Sequence, residues 1–220
     1  MKSIELALKP PFDTTIAEVL SECASQTPAR VLFEFDSFSF TVEQIFKAAS
    51  EIRGKLLSEG VERRHTIATC METSPQYIKL IFALFLIGIK WVPIDPKSRG
   101  PSLEHAIKTS QPDIIFGNKS SLKYVSELCF DCKMIELESW QTEGADASVH
   151  LSYKNNSSDN HSLIIFTSGT SGPPKGVIVT DRMILASAAG NALASDCNCD
   201  DNFIFWEPLH HISGVQALIM

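Results

Sequence analysis

The spacing of apolar residues switches repeatedly along the chain between a helical and an extended pattern. Helical spacing predicts helices over 14–26, 42–58, 75–89, 103–109, 122–128 and 182–194, with a further helix beginning near His211. Short apolar runs predict strands over 31–35, 38–40, 66–71, 91–94, 113–116, 134–137, 163–166, 177–179 and 203–206. This repeated strand–helix unit predicts an α/β fold with mostly parallel sheets flanked by helices.

The stretch between the apolar runs 163–166 and 177–179 has an unusual composition. Residues 167–176 read Thr-Ser-Gly-Thr-Ser-Gly-Pro-Pro-Lys-Gly. Glycines let backbone N–H groups approach an anion closely, hydroxyls add donors, and Lys175 adds a positive charge. The pattern favours a polyphosphate-binding loop between two buried strands, and the alternative is a turn that binds nothing. It matches neither G-x-x-x-x-G-K-[ST] nor the dinucleotide pattern G-x-G-x-x-G.

Charge and hydropathy exclude several classes of protein. The net charge of −7 and the pI near 5.4 argue against a nucleic-acid-binding surface. The longest apolar run, Leu80 to Ile89, is shorter than the roughly 20 residues that a membrane span needs. The first residues lack the continuous apolar core of an export signal, so we expect a protein that is not secreted.

The cysteines are expected to be reduced thiols, and a zinc site is the weaker alternative. A chain of this size without an export signal is expected to keep its six cysteines reduced. Cys129 with Cys132 and Cys197 with Cys199 could form two halves of a zinc site, although the second pair is closer than the common spacing. We assign no metal ligands from the sequence.

Three segments carry a resemblance to a known family. Residues 167–176 resemble the phosphate-loop signature T-S-G-[ST]-T-G-x-P-K-G of the acyl-adenylate-forming (AMP-binding) superfamily, with Ser171 where threonine is usual. Residues 91–96 are similar to its segment V-P-[IL]-[ND]-P. Residues 208–214 are similar to its segment P-[LM]-F-H-x-x-G, with His210 in the usual aromatic position. The resemblance is greatest to acyl- and aryl-CoA ligases.

The resemblance implies a ligase reaction in two steps. A carboxylate attacks the α-phosphorus of ATP to give an acyl-adenylate and pyrophosphate, and coenzyme A then attacks the activated carbonyl. The implied cofactors are ATP, Mg²⁺ and coenzyme A, the partner is a small carboxylic acid, and fatty acid metabolism is the expected setting. Two alternatives remain: an adenylation domain that loads a carrier protein, or a truncated, non-catalytic nucleotide-binding protein.

The same resemblance assigns site residues. Lys175 and His211 are the expected catalytic residues, Lys175 at the leaving pyrophosphate and His211 near the acyl pocket and the adenylate. Asp95 and Pro96 are expected to shape a strand end, and Gly214 to permit a close backbone approach or a helix start. The expected nucleotide-binding residues are Thr167, Ser168, Gly169, Thr170, Ser171, Gly172, Lys175 and Gly176.

A polar stretch divides the chain into two predicted units. Residues 1–137 are expected to form a first α/β subdomain, 138–160 a polar surface loop, and 161–220 a phosphate-loop unit with the start of a second subdomain. The resemblance covers essentially the whole chain but only the N-terminal part of the family's large domain, without the C-terminal lid domain. We therefore expect this chain to be inactive alone. A cytoplasmic location is expected, with the peroxisome as the alternative.

Overall fold

The computed structural model describes residues 13–140, 157–159, 161–167, 174–198, 201–204 and 206–220. The helices are α1 Ile16–Gln26, α2 Val42–Ser58, α3 Pro75–Ile87, α4 Gly100–Ser110, α5 Lys119–Ser126, α6 Asp181–Ala194 and α7 Ile212–Ile219. The strands are β1 Val31–Phe35, β2 Phe38–Thr41, β3 Thr66–Cys70, β4 Lys90–Pro93, β5 Ile114–Gly117, β6 Lys133–Glu136, β7 His161–Phe166 and β8 Gly176–Thr180. A 3₁₀ turn, Leu137–Ser139, follows β6.

Six strands form one mixed sheet in the order β6-β5-β3-β4-β7-β8. All neighbouring pairs are parallel except β7 with β8, which are antiparallel. β1 and β2 form a separate antiparallel hairpin. The α/β fold class predicted from the sequence is therefore confirmed.

The chain leaves the neighbouring strands β3 and β5 in opposite directions, so the strand order reverses between β3 and β5. Helix α3 connects β3 to β4 on one side of β3, and helix α4 leads from β4 back across to β5 on the other side. In open α/β sheets, ligands bind in the crevice outside the carboxyl ends of the strands at such a reversal. The fold thus indicates where a site lies before any side chain is considered.

Helices cover both faces of this sheet. Ile67, Trp91 and Ile114 point into a core that contains α1, α2 and α3. Their sequence neighbours Ala68, Val92 and Ile115 point into a second core under α4 and α5. Because successive strand residues face opposite sides, each central strand is apolar on both faces, which is typical of buried parallel strands.

Helix α3 is buried over most of its circumference. From Tyr77 to Ile87, every residue except Lys79 is buried, since the helix lies between the sheet and helices α1 and α2. Three polar side chains in this core form hydrogen bonds with one another. Trp91 donates its Nε1–H to Thr69 Oγ1 at 2.8 Å, and Thr69 Oγ1 lies 2.6 Å from the Tyr77 hydroxyl.

Local capping signals fix several helix ends. Thr15 and Thr41 each form a capping box, with Glu18 and Gln44 respectively. Helix α6 begins one residue earlier than its predicted start at residue 182. Thr180 is the N-cap and its side chain accepts the Met183 amide, so Asp181 is the first helical residue.

Near the phosphate-loop segment, the predicted burial of strand 177–179 and the predicted strand 203–206 were wrong, although 177–179 does form a strand, β8. β8 is only partly buried because it lies at the edge of the sheet: Val177 and Ile178 are 43% and 47% exposed, whereas Val179 is buried. The predicted strand 203–206 does not form at its described residues, and Ile204 and Trp206 are 88% and 82% exposed. A strand needs a neighbouring strand for its backbone hydrogen bonds, and the described sheets place none beside this segment.

The sheet continues past the predicted surface loop. β7 pairs with β4, so the strands on either side of residues 138–160 belong to one sheet. Residues 141–156 and 160 lie outside the described residues, and the predicted domain division stays a prediction.

A buried carboxylate ties the N-terminal helix to the β7–β8 hairpin. Asp181 is 6% exposed and accepts hydrogen bonds from the Ile16 amide at 2.9 Å and from the Ser162 hydroxyl. Burial raises the pKa of Asp181, although both hydrogen bonds oppose that shift. Next to it, Arg182 pairs with Asp13 at 2.8 Å and with Asp159 at 2.7 Å. Three separate segments are thereby joined at one point.

Replacing Asp181 tests this junction. Asp181→Ala leaves the buried Ile16 amide without its acceptor, whereas Asp181→Asn keeps a side-chain oxygen for it. We expect the Ala variant to be less stable than the Asn variant by about 1–3 kcal/mol in the free energy of unfolding, measured by urea denaturation at pH 7. Equal stability of the two variants would show that the Ile16 hydrogen bond does not hold the helix.

Candidate active site

Two of the three sequence motifs lie at the carboxyl ends of adjacent parallel strands. Residues 91–96 include the end of β4, and Thr167 directly follows β7. Because β4 and β7 are neighbours and parallel, Asp95 and Thr167 lie at the same edge of the sheet. The reversal between β3 and β5 lies at the same carboxyl edge, with β3 directly beside β4.

The phosphate-loop segment is closed at its base by three residues that we call the loop neck: Thr167, Pro174 and Lys175. The Thr167 amide donates to the Lys175 carbonyl at 3.0 Å. The Lys175 amide lies 3.4 Å from the Thr167 hydroxyl oxygen, a weaker contact. The neck continues the register of the hairpin, in which Phe166 pairs with Gly176. Five of the predicted binding residues lie outside the described residues: Ser168, Gly169, Thr170, Ser171 and Gly172.

The Lys175 side chain is accessible to a bound anion at the neck. Its side chain is exposed, and it takes part in none of the ion pairs found among the described residues. Gly176 begins β8 over the partner strand, where an added Cβ would lie 3.1 Å from the Ile164 side chain. The neck therefore presents a positive charge that no carboxylate of the described residues pairs with, beside a glycine packed against the Ile164 side chain.

His105 contacts the neck, although none of the sequence motifs includes it. His105 lies on α4, and its Nε2 is 2.7 Å from the Pro174 carbonyl oxygen. Its ring also meets Phe166 edge-on, with centroids 6.3 Å apart. His105 and Pro174 are 69 positions apart in the sequence and only the fold brings them together, so no local motif could have identified the pair.

A histidine pair connects the third motif to this edge. His210 Nε2 lies 3.8 Å from Asp95 Oδ1, and the His210 and His211 ring centroids are 4.5 Å apart. Desolvation lowers the pKa of His210 and the neighbouring His211 lowers it further, while Asp95 acts in the opposite direction. His210 is therefore mainly neutral near pH 7. His211 is exposed and occupies the N-cap position of α7 without a side-chain capping hydrogen bond.

Comparison with known proteins decides the family. The sequence pattern of the AMP-binding enzyme family matches residues 20–220. The chain belongs to the AMP-binding enzyme family. Among curated relatives, it is 26% identical over 204 residues to 2-succinylbenzoate–CoA ligase from Bacillus licheniformis, which covers 90% of this chain and 41% of that protein. It is 27% identical over 175 residues to gramicidin S synthase 2 from Brevibacillus brevis, covering 80% of this chain and 4% of that protein.

Solved structures share the fold. O-succinylbenzoate coenzyme A synthetase (MenE) from Bacillus subtilis, in complex with AMP, aligns with a TM-score of 0.78 at 24% identity. The alignment covers 90% of this chain and 51% of that one. VinN in complex with 3-methylaspartate aligns with a TM-score of 0.85 at 15% identity, covering 94% and 58% respectively. This chain thus spans less than two thirds of the length of each of these proteins.

In this AMP-binding family member, Gly214 allows the third motif to fold back on itself. A Cβ at Gly214 would lie 2.3 Å from the Pro208 carbonyl oxygen and 2.8 Å from that of Glu207. The Glu207 carboxylate accepts a hydrogen bond from the Ser213 hydroxyl at 3.1 Å. The expected close backbone approach at Gly214 is confirmed, and it fixes His210 and His211 at the beginning of α7.

The zinc alternative depends on four cysteines. Cys129 and Cys132 follow α5, and both are free thiols, as is Cys197. Cys199 lies outside the described residues. Within the part of the chain that the structure describes, no group of three or more His, Cys, Asp and Glu residues could hold a metal ion. The same part contains no helix long and apolar enough to cross a membrane.

A methyl group at Gly214 should distort this motif. We expect Gly214→Ala to lower the free energy of unfolding by about 1–3 kcal/mol, because the added Cβ overlaps backbone rather than a flexible side chain. Gly190→Ala is the matched control: nothing lies within 4 Å of its added Cβ in α6, and alanine favours a helix, so stability should rise by about 0.5–1 kcal/mol. Thermal denaturation of both variants measures the contrast. Similar losses in both would rule out a special role for Gly214.

The pH dependence of stability tests the environment of His210. A histidine whose folded-state pKa lies below its unfolded value of 6.5 contributes stability that is present above pH 6.5 and is lost as the pH falls through the folded pKa. His210→Phe removes this contribution, so we expect the variant to lose less stability than the unsubstituted protein as the pH falls below 6.5. Urea denaturation at a series of pH values, with an NMR titration of His210, provides the measurement. If the free energy of unfolding changed with pH equally in the variant and in the unsubstituted protein, the pKa of His210 would not be lowered.

Proposed function

We propose that this chain forms the nucleotide-binding part of an ATP-dependent acid–thiol ligase. The ligase activates a carboxylic acid as an acyl-adenylate and transfers the acyl group to coenzyme A. The observation that carries the proposal is that the loop neck and the Asp95–His210 contact lie at one edge of the sheet, next to the reversal of strand order. Membership of the AMP-binding enzyme family and the MenE complex with AMP support it.

Lys175 is proposed to act on the leaving pyrophosphate. When a carboxylate attacks the α-phosphorus, negative charge grows on the departing β- and γ-phosphates. An exposed ammonium with no carboxylate partner among the described residues suits that charge, and it is already positioned by the neck before the reaction begins. Ser168, Gly169, Thr170, Ser171 and Gly172 are proposed to add hydroxyl and backbone donors to the same phosphates.

His211 is proposed to face the acid and the adenylate. Its side chain is exposed at the N-terminus of α7, beside the neutral His210. A helix N-terminus favours negative charge through its free N–H groups. A carboxylate near His211 would therefore meet hydrogen-bond donors without a fixed positive charge from His210.

Mg²⁺ and coenzyme A complete the proposed reaction. The described residues build no carboxylate cluster for a metal ion, so Mg²⁺ would enter with the nucleotide, held by phosphate oxygens and water. Coenzyme A would supply the thiol, which attacks the acyl carbonyl as AMP leaves. Asp95 is proposed to hold the strand end, since its Oδ1 accepts the Lys97 amide at 2.8 Å.

A second function differs only in the acceptor thiol. Gramicidin S synthase 2 is as similar to this chain in identity as the CoA ligase is. A carrier protein could therefore take the place of coenzyme A. Because this chain is expected to be inactive alone, a thioester assay that offers both acceptors is performed with the lid domain supplied, and the acyl group then appears either on coenzyme A or on the carrier protein.

Lys175→Ala tests the proposed phosphate contact. We expect the purified chain to bind MgATP in calorimetry, and the substitution to weaken that binding by about 10- to 100-fold, the effect of losing one hydrogen bond to a charged group. Binding of adenosine, which has no phosphates, should be unchanged. The loss should therefore be specific to the triphosphate.

Lys47→Ala is the matched control for charge. Lys47 is an exposed lysine on α2, and its removal changes the net charge by the same amount away from the candidate site. We expect its affinity for MgATP to equal that of the unsubstituted chain. Equal affinities for the Lys175 and Lys47 variants, or no nucleotide binding by the unsubstituted chain, would refute the proposed function.

A further inference from the structure

We propose that His105 is a positioning residue that holds the loop neck in place for nucleotide binding. The proposal rests on the function proposed above, because the neck matters for affinity only if Lys175 meets phosphate. It assigns a role to a helix that none of the three family-like motifs includes. His105 acts through Lys175 and the neck rather than by touching the nucleotide.

His105 contacts the hairpin on both of its strands. Its Nε2 lies 2.7 Å from the Pro174 carbonyl oxygen, just before β8. The edge of its ring meets Phe166, the last residue of β7, with an interplanar angle of 80°. One side chain therefore links both sides of the neck, in addition to the Thr167–Lys175 hydrogen bond at 3.0 Å.

The support for His105 is rigid. On either side of it along α4, Leu103 and Ile107 are 1% and 2% exposed in the second core. The helix therefore cannot shift without disturbing that core, and the imidazole is held at a fixed distance from the sheet. A hairpin at the sheet edge has neighbours on one side only, so an external support of this kind limits how far it can tilt.

The chemistry of the contact defines the donor. A carbonyl oxygen only accepts, so Nε2 must carry the proton that it donates to Pro174. Pro174 has no amide hydrogen. The residue that follows it is Lys175, so fixing the Pro174 carbonyl fixes the peptide plane from which the lysine side chain departs.

Two substitutions separate the two contacts. His105→Phe keeps an aromatic edge toward Phe166 but removes the donor to Pro174. His105→Gln removes the ring but keeps an amide N–H of similar reach. We expect the Phe variant to bind MgATP and pyrophosphate two- to tenfold more weakly than the unsubstituted chain, and the Gln variant to stay within about twofold. Adenosine binding should be equal in all three proteins.

The readouts distinguish positioning from folding. Calorimetry is performed well below the melting temperature of each variant, and hydrogen exchange of the Thr167 and Lys175 amides is measured in parallel. We expect faster exchange of these amides in the Phe variant together with weaker phosphate binding. His65→Gln serves as the control, since His65 accepts the Glu62 amide in an exposed turn and its variant should match the unsubstituted chain.

Two outcomes would overturn the proposal, and they differ. If the Phe variant has a lower melting temperature but an unchanged affinity for MgATP and pyrophosphate, His105 only stabilises the fold. If the unsubstituted chain binds neither ligand, the nucleotide-binding function fails and the role of His105 fails with it.

Discussion

A parallel sheet must be covered on both faces, because its strands are apolar on both sides and its connections return over the sheet. This constraint explains why Ile67 and Ala68, adjacent in the sequence, belong to different cores. It also explains why α3 is buried almost all round while α4 covers the opposite face. With both faces closed, only the strand ends remain for chemistry, and the reversal of strand order selects the carboxyl edge around β3 and β5.

The β7–β8 hairpin depends on that sheet but is held by polar contacts from outside it. At its amino end, the Ser162 hydroxyl and the Ile16 amide share the Asp181 carboxylate. At its other end, His105 reaches the Pro174 carbonyl. Antiparallel pairing alone would leave an edge hairpin free to tilt, so these contacts from α1 and α4 relate the neck to the rest of the molecule.

Local signals predicted helices well because the determining residues are neighbours. Thr41 and Gln44 fix the beginning of α2, and the predicted bounds 42–58 match the observed helix. Burial of strands could not be predicted in the same way. Val177 and Ile178 form an apolar run, yet their exposure depends on which strands lie beside β8, a property of the whole sheet. His105 was missed for the same reason, because its partner is distant in sequence.

The charge at the candidate site follows from burial as much as from composition. His210 is close enough to Asp95 to pair with it, but desolvation and His211 lower its pKa, so it adds little charge near neutral pH. The positive charge at this edge then rests on lysines such as Lys97 and Lys175. Since a single exposed charge in water attracts an anion only weakly, tight phosphate binding requires backbone donors in fixed positions beside it. The stiffness of the neck is therefore as important to the proposed chemistry as the lysine itself.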